Sequence, residues 1–411
     1  MGKVFTERII TSIDVGTSKI CVLIAHQLEG QRFEVVGIGK ARSDGLRKGV
    51  VVDIAKTIHS IKQAVKEAEM MAGVSVESAY IGISGGHIIS KNSHGVVPIK
   101  RGQVRTSDIV NALAAARAIP VEKDHQILHV LPQYFVIDSH EKVADPIDMH
   151  GIRLEVQAHI IMGAISSVQN LINCCQQAGV YVADIILEQL ASADAVLSKD
   201  EQELGVAVLD IGGGTSDFAI YQQGSIRHTM VLPIAGNHFT NDIAIGLRTT
   251  IEDAECIKKE HGLATLDVLE KNELIEIEMV QGADRQVIHV SDLVRIIQPR
   301  AQELLTLVHD EIITHKLQSF ISTGLVLTGG GSLLTGMQEL AEQIFQVPVR
   351  IGQPRIEFAM PESLNSPIYA TGYGLLVHAL KQKQQTTSAQ TSDGIHKRVF
   401  ERMKSWVADF F

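Results

Sequence analysis

The sequence predicts an α/β protein of two similar lobes facing a shared cleft. Three observations lead there. Near the N-terminus, an apolar strand (9–13) runs into Asp14-Val-Gly16-Thr17-Ser18-Lys19 and out into a second apolar strand. The same arrangement recurs at 206–220, where Asp210-Ile-Gly212-Gly213-Gly214-Thr215-Ser216-Asp217 joins two apolar runs. A third glycine cluster, Gly329-Gly330-Gly331-Ser332, follows the apolar stretch 326–327 and precedes a helical pattern. Similar hairpins far apart in one chain indicate repeated lobes. At 411 residues the chain is also too long for one simple core.

Each of these three stretches has its own chemistry. The central hairpin has apolar runs of strand length on both sides and a centre with no side chains to keep a ligand away. Successive backbone N–H groups in such a turn form a concavity for anions, phosphate above all. Carboxylates beside phosphate would repel it unless a cation lies between them. Asp14, Asp210 and Asp217 therefore imply Mg²⁺, held largely through water, since this hard cation takes a few carboxylates together with waters and phosphate oxygens. The late loop is a strand–loop–helix contact of the kind that meets phosphate or nucleoside. One such loop is a weak signal, whereas three in this order are a strong one.

With these motifs in place the chain resembles the actin-like ATPase superfamily and, within it, the FtsA family of bacterial cell-division proteins. The superfamily has a phosphate hairpin in each lobe, an adenosine loop late in the chain and two connecting helices. The counterparts here are residues 14–19, 210–217, 328–333, 187–197 and 369–377. The resemblance implies two ribonuclease H-like domains around ATP and Mg²⁺. It implies nucleotide contacts from Asp14, Gly16, Thr17, Ser18, Lys19, Asp210, Gly212, Gly213, Gly214, Thr215, Ser216, Asp217, Gly236, Asn237, Glu255, Lys258, Gly329, Gly330, Gly331 and Ser332.

Composition narrows the class. Hydrophobic content of 45% and charged content of 20% fit a folded soluble protein. A net charge of −10 argues against nucleic acid as a partner. The first eight residues lead straight into a strand without the apolar core of a secretion signal. No apolar run approaches the ~18–20 residues of a membrane span. Cys21, Cys174, Cys175 and Cys256 show no metal-binding spacing and read as free thiols in a reducing compartment.

The elements follow in order. Residues 1–84 are the first part of the first lobe. They contain a strand at 33–39, a polar turn at 43–49, an amphipathic helix over 53–72 ended by Gly73, and a strand at 79–83. At 85–162 the pattern changes to a small inserted α+β subdomain. It has a capped helix at 107–117 and strands at 127–131, 133–137 and 154–162. An insertion at this place is what separates the FtsA family from actin and the rod-shape protein MreB. The first lobe resumes at 163–196 with a helix at 166–177, a strand at 180–186 and the linking helix at 189–197. Glu188 opens that helix and has two readings. It is the residue that positions an attacking water in several relatives, or an acid that interacts with the helix dipole.

The second lobe is expected at 197–227 and 303–380, with its own inserted subdomain at 228–302. A helix at 250–262 carries Glu255 and Lys258 on one face. By resemblance this helix approaches the ribose and adenine, and the other reading is a solvated ion pair. A strand follows at 287–290. A long amphipathic helix over 291–316, interrupted at Pro299, carries Arg295, Ile296 and Arg300. In the FtsA family this neighbourhood receives the acidic, apolar C-terminal tail of the tubulin-like FtsZ. Then come a helix at 338–345, a strand at 347–351 and a small-residue helix at 368–380.

Residues 381–394 have almost no apolar content and read as a flexible linker. Behind it, residues 395–411 form an amphipathic stripe that includes Val399, Met403, Trp406, Val407 and Phe410, flanked by Phe400, with Lys397, Arg398, Arg402 and Lys404 away from its centre. A basic amphipathic helix with Trp and Phe lies in a membrane interface. The other reading, a terminal helix docked on the protein's own core, fits poorly behind a polar linker.

The expectation is thus an actin-like ATP-binding cytoskeletal protein, at most a slow ATPase. It would form filaments with itself at the septum, on the cytoplasmic side of the bacterial inner membrane. There it would tether FtsZ, bind the anionic membrane surface and help recruit later division membrane proteins to the divisome. The alternatives are a sugar or acetate kinase, or the pilus-assembly protein PilM, on the same fold.

Overall fold

The computed structural model describes residues 9–28, 32–279, 285–355 and 361–391. The first lobe opens with a meander of β1 (Ile9–Val15), β2 (Lys19–Gln27) and β3 (Phe33–Arg42). β1 and β2 are buried almost throughout, as their unbroken apolar runs require. A small hairpin of β4 (Leu46–Arg47) and β5 (Val50–Val51) leads into α1 (Ile54–Ala72). Asp53 caps α1 by accepting from the Lys56 N–H, and Gly73 ends it at φ +68°, a conformation glycine adopts without steric cost. β6 (Ser78–Ile83) runs parallel to β1.

The chain then leaves the lobe. β7 (Ile89–Pro98), α2 (Thr106–Arg117), β8 (His125–Ile137), β9 (Lys142–Val143) and β10 (Arg153–Ala164) build a sheet in the order β7-β10-β8-β9. It has its own apolar core under α2. α3 (Ile165–Gln177) and β11 (Tyr181–Leu187) return to the lobe and complete the order β11-β6-β1-β2-β3.

α4 (Glu188–Val196) and α5 (Lys199–Leu204) cross to the second lobe, where β12 (Val206–Ile211), β13 (Ser216–Gln222) and β14 (Ser225–Leu232) repeat the meander. α6 (Gly236–Leu247), α7 (Ile251–His261), the hairpin of β15 (Leu274–Glu278) and β16 (Arg285–His289), and α8 (Val290–Thr314) follow. β17 (Leu325–Thr328), α9 (Met337–Phe345) and β18 (Val349–Ile351) finish a sheet ordered β14-β13-β12-β17-β18. Strand for strand this matches the first lobe: an antiparallel meander whose first strand pairs in parallel with a later one. α10 (Ala370–Thr391) returns and packs on α4. A Cβ at Gly374 would lie 1.8 Å from the Ala191 carbonyl oxygen, so only glycine lets the two helices meet this closely.

The inserted sheet also touches the second lobe along β14, through a polar seam. In β8 the pairing with β10 slips at Gln133, which is left as a bulge between Pro132 and Tyr134. A bulge re-aims its side chain. The Gln133 amide donates to the carbonyls of Ile226 (2.9 Å) and Arg227 (3.1 Å) and to Asn92 Oδ1 (3.3 Å). His159, 1% exposed, bonds Asn92 Oδ1 through Nδ1 at 2.7 Å and Thr229 Oγ1 through Nε2 at 2.8 Å. Ser90 Oγ donates to the Thr229 carbonyl.

Four expectations are corrected. The strands placed at 127–131 and 133–137 are one strand, β8, because the bulge absorbs Pro132. β7, β14 and α6, absent from the reading above, are regular elements. α8 runs unbroken through Pro299. Its buried face continues on both sides of the proline, with Val294, Ile297, Ala301 and Leu304, and such packing outweighs one lost backbone bond. The linker expected from residue 381 is helical in its first part, since α10 continues through Thr391. The amphipathic segment with Val399, Phe400, Met403, Trp406, Val407 and Phe410 lies outside the described residues. Among the described residues no helix is long and apolar enough to cross a membrane.

Candidate functional site

The two hairpin turns face each other across the lobes. In each, the first glycine closes the turn: Gly16 N–H donates to the Lys19 carbonyl (3.1 Å) and Gly212 N–H to that of Thr215 (2.9 Å). A Cβ at Gly213 would lie 1.9 Å from Ser18 Oγ, and one at Gly214 2.4 Å from Thr17 Oγ1. The glycines are what allow the lobes to approach. Ser18 Oγ donates to Asn237 Oδ1 (3.1 Å), and the Asn237 N–H donates to the Gly213 carbonyl (2.8 Å).

Between the lobes lies a cavity of about 610 Å³, within the range of small-molecule sites. Asp14, Gly16, Thr17, Ser18, Lys19, Glu188, Asp210, Gly212, Gly213, Gly214, Thr215, Asp217, Gly236, Asn237, Glu255, Lys258, Gly329, Gly330 and Gly331 all line it. Two of the expected residues do not. Ser216 Oγ turns away to the Ile234 carbonyl (2.7 Å), and Ser332 Oγ to the Gly329 carbonyl (2.7 Å). Both are buried donors that brace backbone.

One wall of the cavity is acidic. Asp210 and Asp217 stand opposite each other in the β12–β13 register. Asp210 Oδ2 accepts from Ser192 Oγ and from Thr371 Oγ1 (3.0 Å), and Asp217 Oδ1 accepts from Ser84 Oγ (2.5 Å). Lys19 Nζ bonds the Ile368 carbonyl and sits 4.7 Å from the centre of the Tyr369 ring. Burial raises the Asp14 carboxyl to about 6, with Lys19 pulling it down and Asp210 adding to the rise. Burial lifts Asp217 to about 7 against the Ser84 hydrogen bond. Asp210 is raised by burial and held back by Ser192 and Thr371. Glu188 is pushed well above the carboxylate range by burial and by its three acidic neighbours. Three buried carboxyls and the partly exposed Glu188 thus face one lysine on this wall. A hard oxygen donor set with unbalanced negative charge fits Mg²⁺.

Another wall is formed by α6 and α7. Lys258 Nζ reaches Glu255 Oε2 (2.6 Å), Thr240 Oγ1 (2.8 Å) and the Gly236 carbonyl (3.1 Å). Burial raises Glu255, but the bonds from Lys258 and Thr240 hold it below its ordinary value. Lys258 is only 14% exposed, so the solvated ion pair is not what the fold builds. The late loop crosses the end of β12 with Gly329 at φ +78°, where a Cβ would lie 2.1 Å from Asp210 Oδ1. Gly330 opens onto the cavity, with only the Ile368 methyl 3.6 Å from its would-be Cβ.

The sequence reading missed Leu333, Leu334 and Ile368, which add apolar lining, and Ser84, Ser192 and Thr371, which hold the carboxylates. The only available signal was composition: Thr371 lies in a small-residue segment and Ser84 precedes two glycines.

Arg295, Ile296 and Arg300 lie outside this cavity, on α8. Arg300 is already forked onto Asp242, with Nε–Oδ2 at 2.6 Å, and also bonds Glu303. Arg295 pairs with Asp292 at 3.2 Å and stays 70% exposed. Ile296 packs beneath Gly246.

The comparisons with known proteins agree with this fold. The family described as "Cell division protein FtsA" matches residues 207–374, and the "SHS2 domain inserted in FTSA" matches residues 85–162. The cell division protein FtsA of Pseudomonas aeruginosa is 43% identical over all of both chains. That of Escherichia coli K12 is 34% identical, covering 99% of this chain and 97% of its own length. Among solved structures, a PilM–PilN type IV pilus biogenesis complex superposes with a TM-score of 0.67 at 17% identity, covering 90% of this chain and 98% of the other. MreB 5 of Spiroplasma citri bound to AMPPNP gives 0.58 at 17% identity, covering 93% and 99%. At these identities the structures show that the fold is actin-like.

Proposed function

The chain belongs to the FtsA family of cell division proteins, and on that premise we propose that it holds Mg²⁺-ATP between its lobes and uses the bound nucleotide to assemble at the division septum. The observation that carries this reading is the cavity itself. Its two glycine hairpins, acidic wall and late glycine loop converge from four distant parts of the chain.

The residues divide the work. Backbone N–H groups of the two turns are available to phosphate oxygens, with Thr17, Ser18 and Thr215 beside them. Asp14, Asp210 and Asp217 would hold Mg²⁺, which supplies positive charge against the phosphates. Ser84, Ser192 and Thr371 fix the rotamers of Asp217 and Asp210. Gly330 leaves room for the nucleoside, with Ile368 and Leu334 as apolar lining, and the Glu255–Lys258 pair offers polar contacts. Glu188, at the start of α4 inside the cavity, is the group to orient a water. Turnover is slow, and ATP acts as an assembly ligand that stabilises the closed lobes.

The finer partners rest on the family and the sequence. Arg295, exposed beside Ile296, is the α8 side chain open to an acidic FtsZ tail, and Arg300 is the one already engaged. The basic amphipathic segment 395–411 suits an anionic membrane surface, and a filament would multiply that weak anchor by avidity. Such a tether would sit on the cytoplasmic face of the inner membrane and help gather later division proteins.

Calorimetric titration of Mg²⁺-ATP into the wild type, Asp210→Asn and Gly330→Val tests the cavity. Both variants should bind at least about tenfold more weakly, a loss of ~1.4 kcal/mol, with near-UV dichroism unchanged. Wild-type affinity in both folded variants would overturn the assignment.

A further inference from the structure

A second group of side chains, none of which lines the nucleotide cavity, gathers where β14 meets the end of α8. His228 projects from β14 and its Nε2 lies 2.8 Å from Glu311 Oε1. His315 follows Glu311 by one helical turn, and its Nδ1 is 3.3 Å from the same oxygen. The imidazole centroids are 5.0 Å apart with their planes tilted by 35°. One ligand atom from each of the three residues falls within 4.8 Å of the others. These two histidines are the ion-pair partners of Glu311 among the described residues.

We propose that His228, Glu311 and His315 form a binding site for a zinc-class divalent cation. Two imidazoles and a carboxylate are the donor set of three-ligand zinc sites, with water in the fourth position. Imidazole donors favour zinc and its transition-metal neighbours over Mg²⁺. A tetrahedral ion with bonds of ~2.1 Å sets its ligands about 3.4 Å apart. Both contacts with Glu311 are already at or below that spacing, so the two imidazoles need to close on each other and His315 Nδ1 to release the Glu311 carbonyl, 3.2 Å away. The frame is rigid. Val308 and Ile312 pin this end of α8 into the second-lobe core, and β14 is held by β13 along its length. Glu311 in the last turn of α8 and His228 on β14 are on regular structure, where a site is held most accurately, and His315 is the residue that caps α8. A cation there would tie the edge strand of the second lobe to α8. β14 is also the strand that carries the seam with the inserted subdomain, so occupancy would stiffen the lobe beside that contact.

The test uses the full chain without a histidine tag, in excess Mg²⁺ to fill the acidic cleft, with Zn²⁺ competed against a chromophoric chelator. The expected result is one saturable Zn²⁺ per chain, weakened at least about tenfold by His228→Gln and by His315→Gln and retained in Asp210→Asn. Thermal midpoint should rise with Zn²⁺ in the wild type and not in either histidine variant. His315 is half exposed, so its variant tests the site without disturbing the core. No saturable Zn²⁺ binding, or an affinity that both histidine variants leave unchanged, would overturn the proposal.

Discussion

The cleft and the seam both bury polar side chains between units of the fold, and they do so in opposite ways. In the seam, His159, Asn92, Gln133, Ser90 and Thr229 answer one another with neutral hydrogen bonds. In the cleft, Asp14, Asp210, Asp217 and Glu188 crowd together, with Lys19 as the cation among them. Burying a polar group is costly unless it is bonded, and burying a charge is costly unless it is paired. The five seam residues meet the first condition within the chain, while Arg227, on the same strand as Thr229, keeps a buried Nε with no hydrogen-bond partner. The cleft meets the second only when a cation arrives. Contacts that close within the protein fix position, whereas contacts left open make stability conditional on a ligand.

Equal-sized changes in the two regions should therefore move stability in opposite directions. The largest expected effect is in the seam. His159→Ala leaves Thr229 Oγ1 without its buried partner, leaves Asn92 Oδ1 only the Gln133 amide and opens a hole, and should lower unfolding free energy by roughly 2–4 kcal/mol. Urea denaturation measures it, and a loss near zero would erase the contrast. Next comes the cleft. Asp217→Asn removes one buried charge while keeping an oxygen for Ser84, and should raise the stability of the ligand-free protein at pH 8 by about 1–3 kcal/mol. The same variant should gain less than the wild type from Mg²⁺-ATP, as paired thermal scans would show.

The smallest effect is in the pH profile. Asp14 and Asp217 have folded values raised from 3.8 to about 6 and about 7. The folded state then holds more protons than the unfolded one across that window, so the contribution of the cleft falls as pH rises through it. Burial lowers His159 from 6.5 to about 3. There the unfolded state holds more protons, and the contribution of the seam rises with pH up to the ordinary histidine range. Between roughly pH 4 and 6.5 the two oppose each other, and with two raised carboxyls against one lowered histidine their combined contribution should fall as pH rises. Asp217→Asn should tilt it upward with pH. A wild type whose profile already climbs steeply would show that the cleft carboxylates titrate normally.

The same contrast explains what was legible in the sequence. The cleft announces itself because its chemistry is local and repeated: Asp14 to Lys19 and Asp210 to Asp217 are contiguous stretches. The helix read at 53–72 was equally plain from its apolar spacing and from Gly73 at its end, and it starts one residue later because Asp53 is its cap. The seam was invisible. β7 and β14 carry Lys91, Asn92, His94, Arg227 and His228 in place of the apolar runs that mark strands. Asn92 and His228 have partners far away in sequence, at His159 and Glu311. Gln133 acts only because a bulge turns it, and no local pattern distinguished a bulge from a break at Pro132. Pro299 misled for the same reason, because the packing that carries α8 past it comes from other elements. Ser192 and Thr371, which steady Asp210 from opposite ends of the lobe connection, are 179 residues apart.

The central claim is that the cleft holds its carboxyls above their ordinary range until a cation pairs with them, and proton counting tests it directly. Metal binding to raised carboxyls releases protons. ATP already saturated with Mg²⁺ would be titrated calorimetrically near pH 6.5 in two buffers of different ionisation enthalpy. The account predicts net proton release on binding, reduced in Asp217→Asn. Binding that releases no protons, or releases as many in Asp217→Asn as in the wild type, would contradict it.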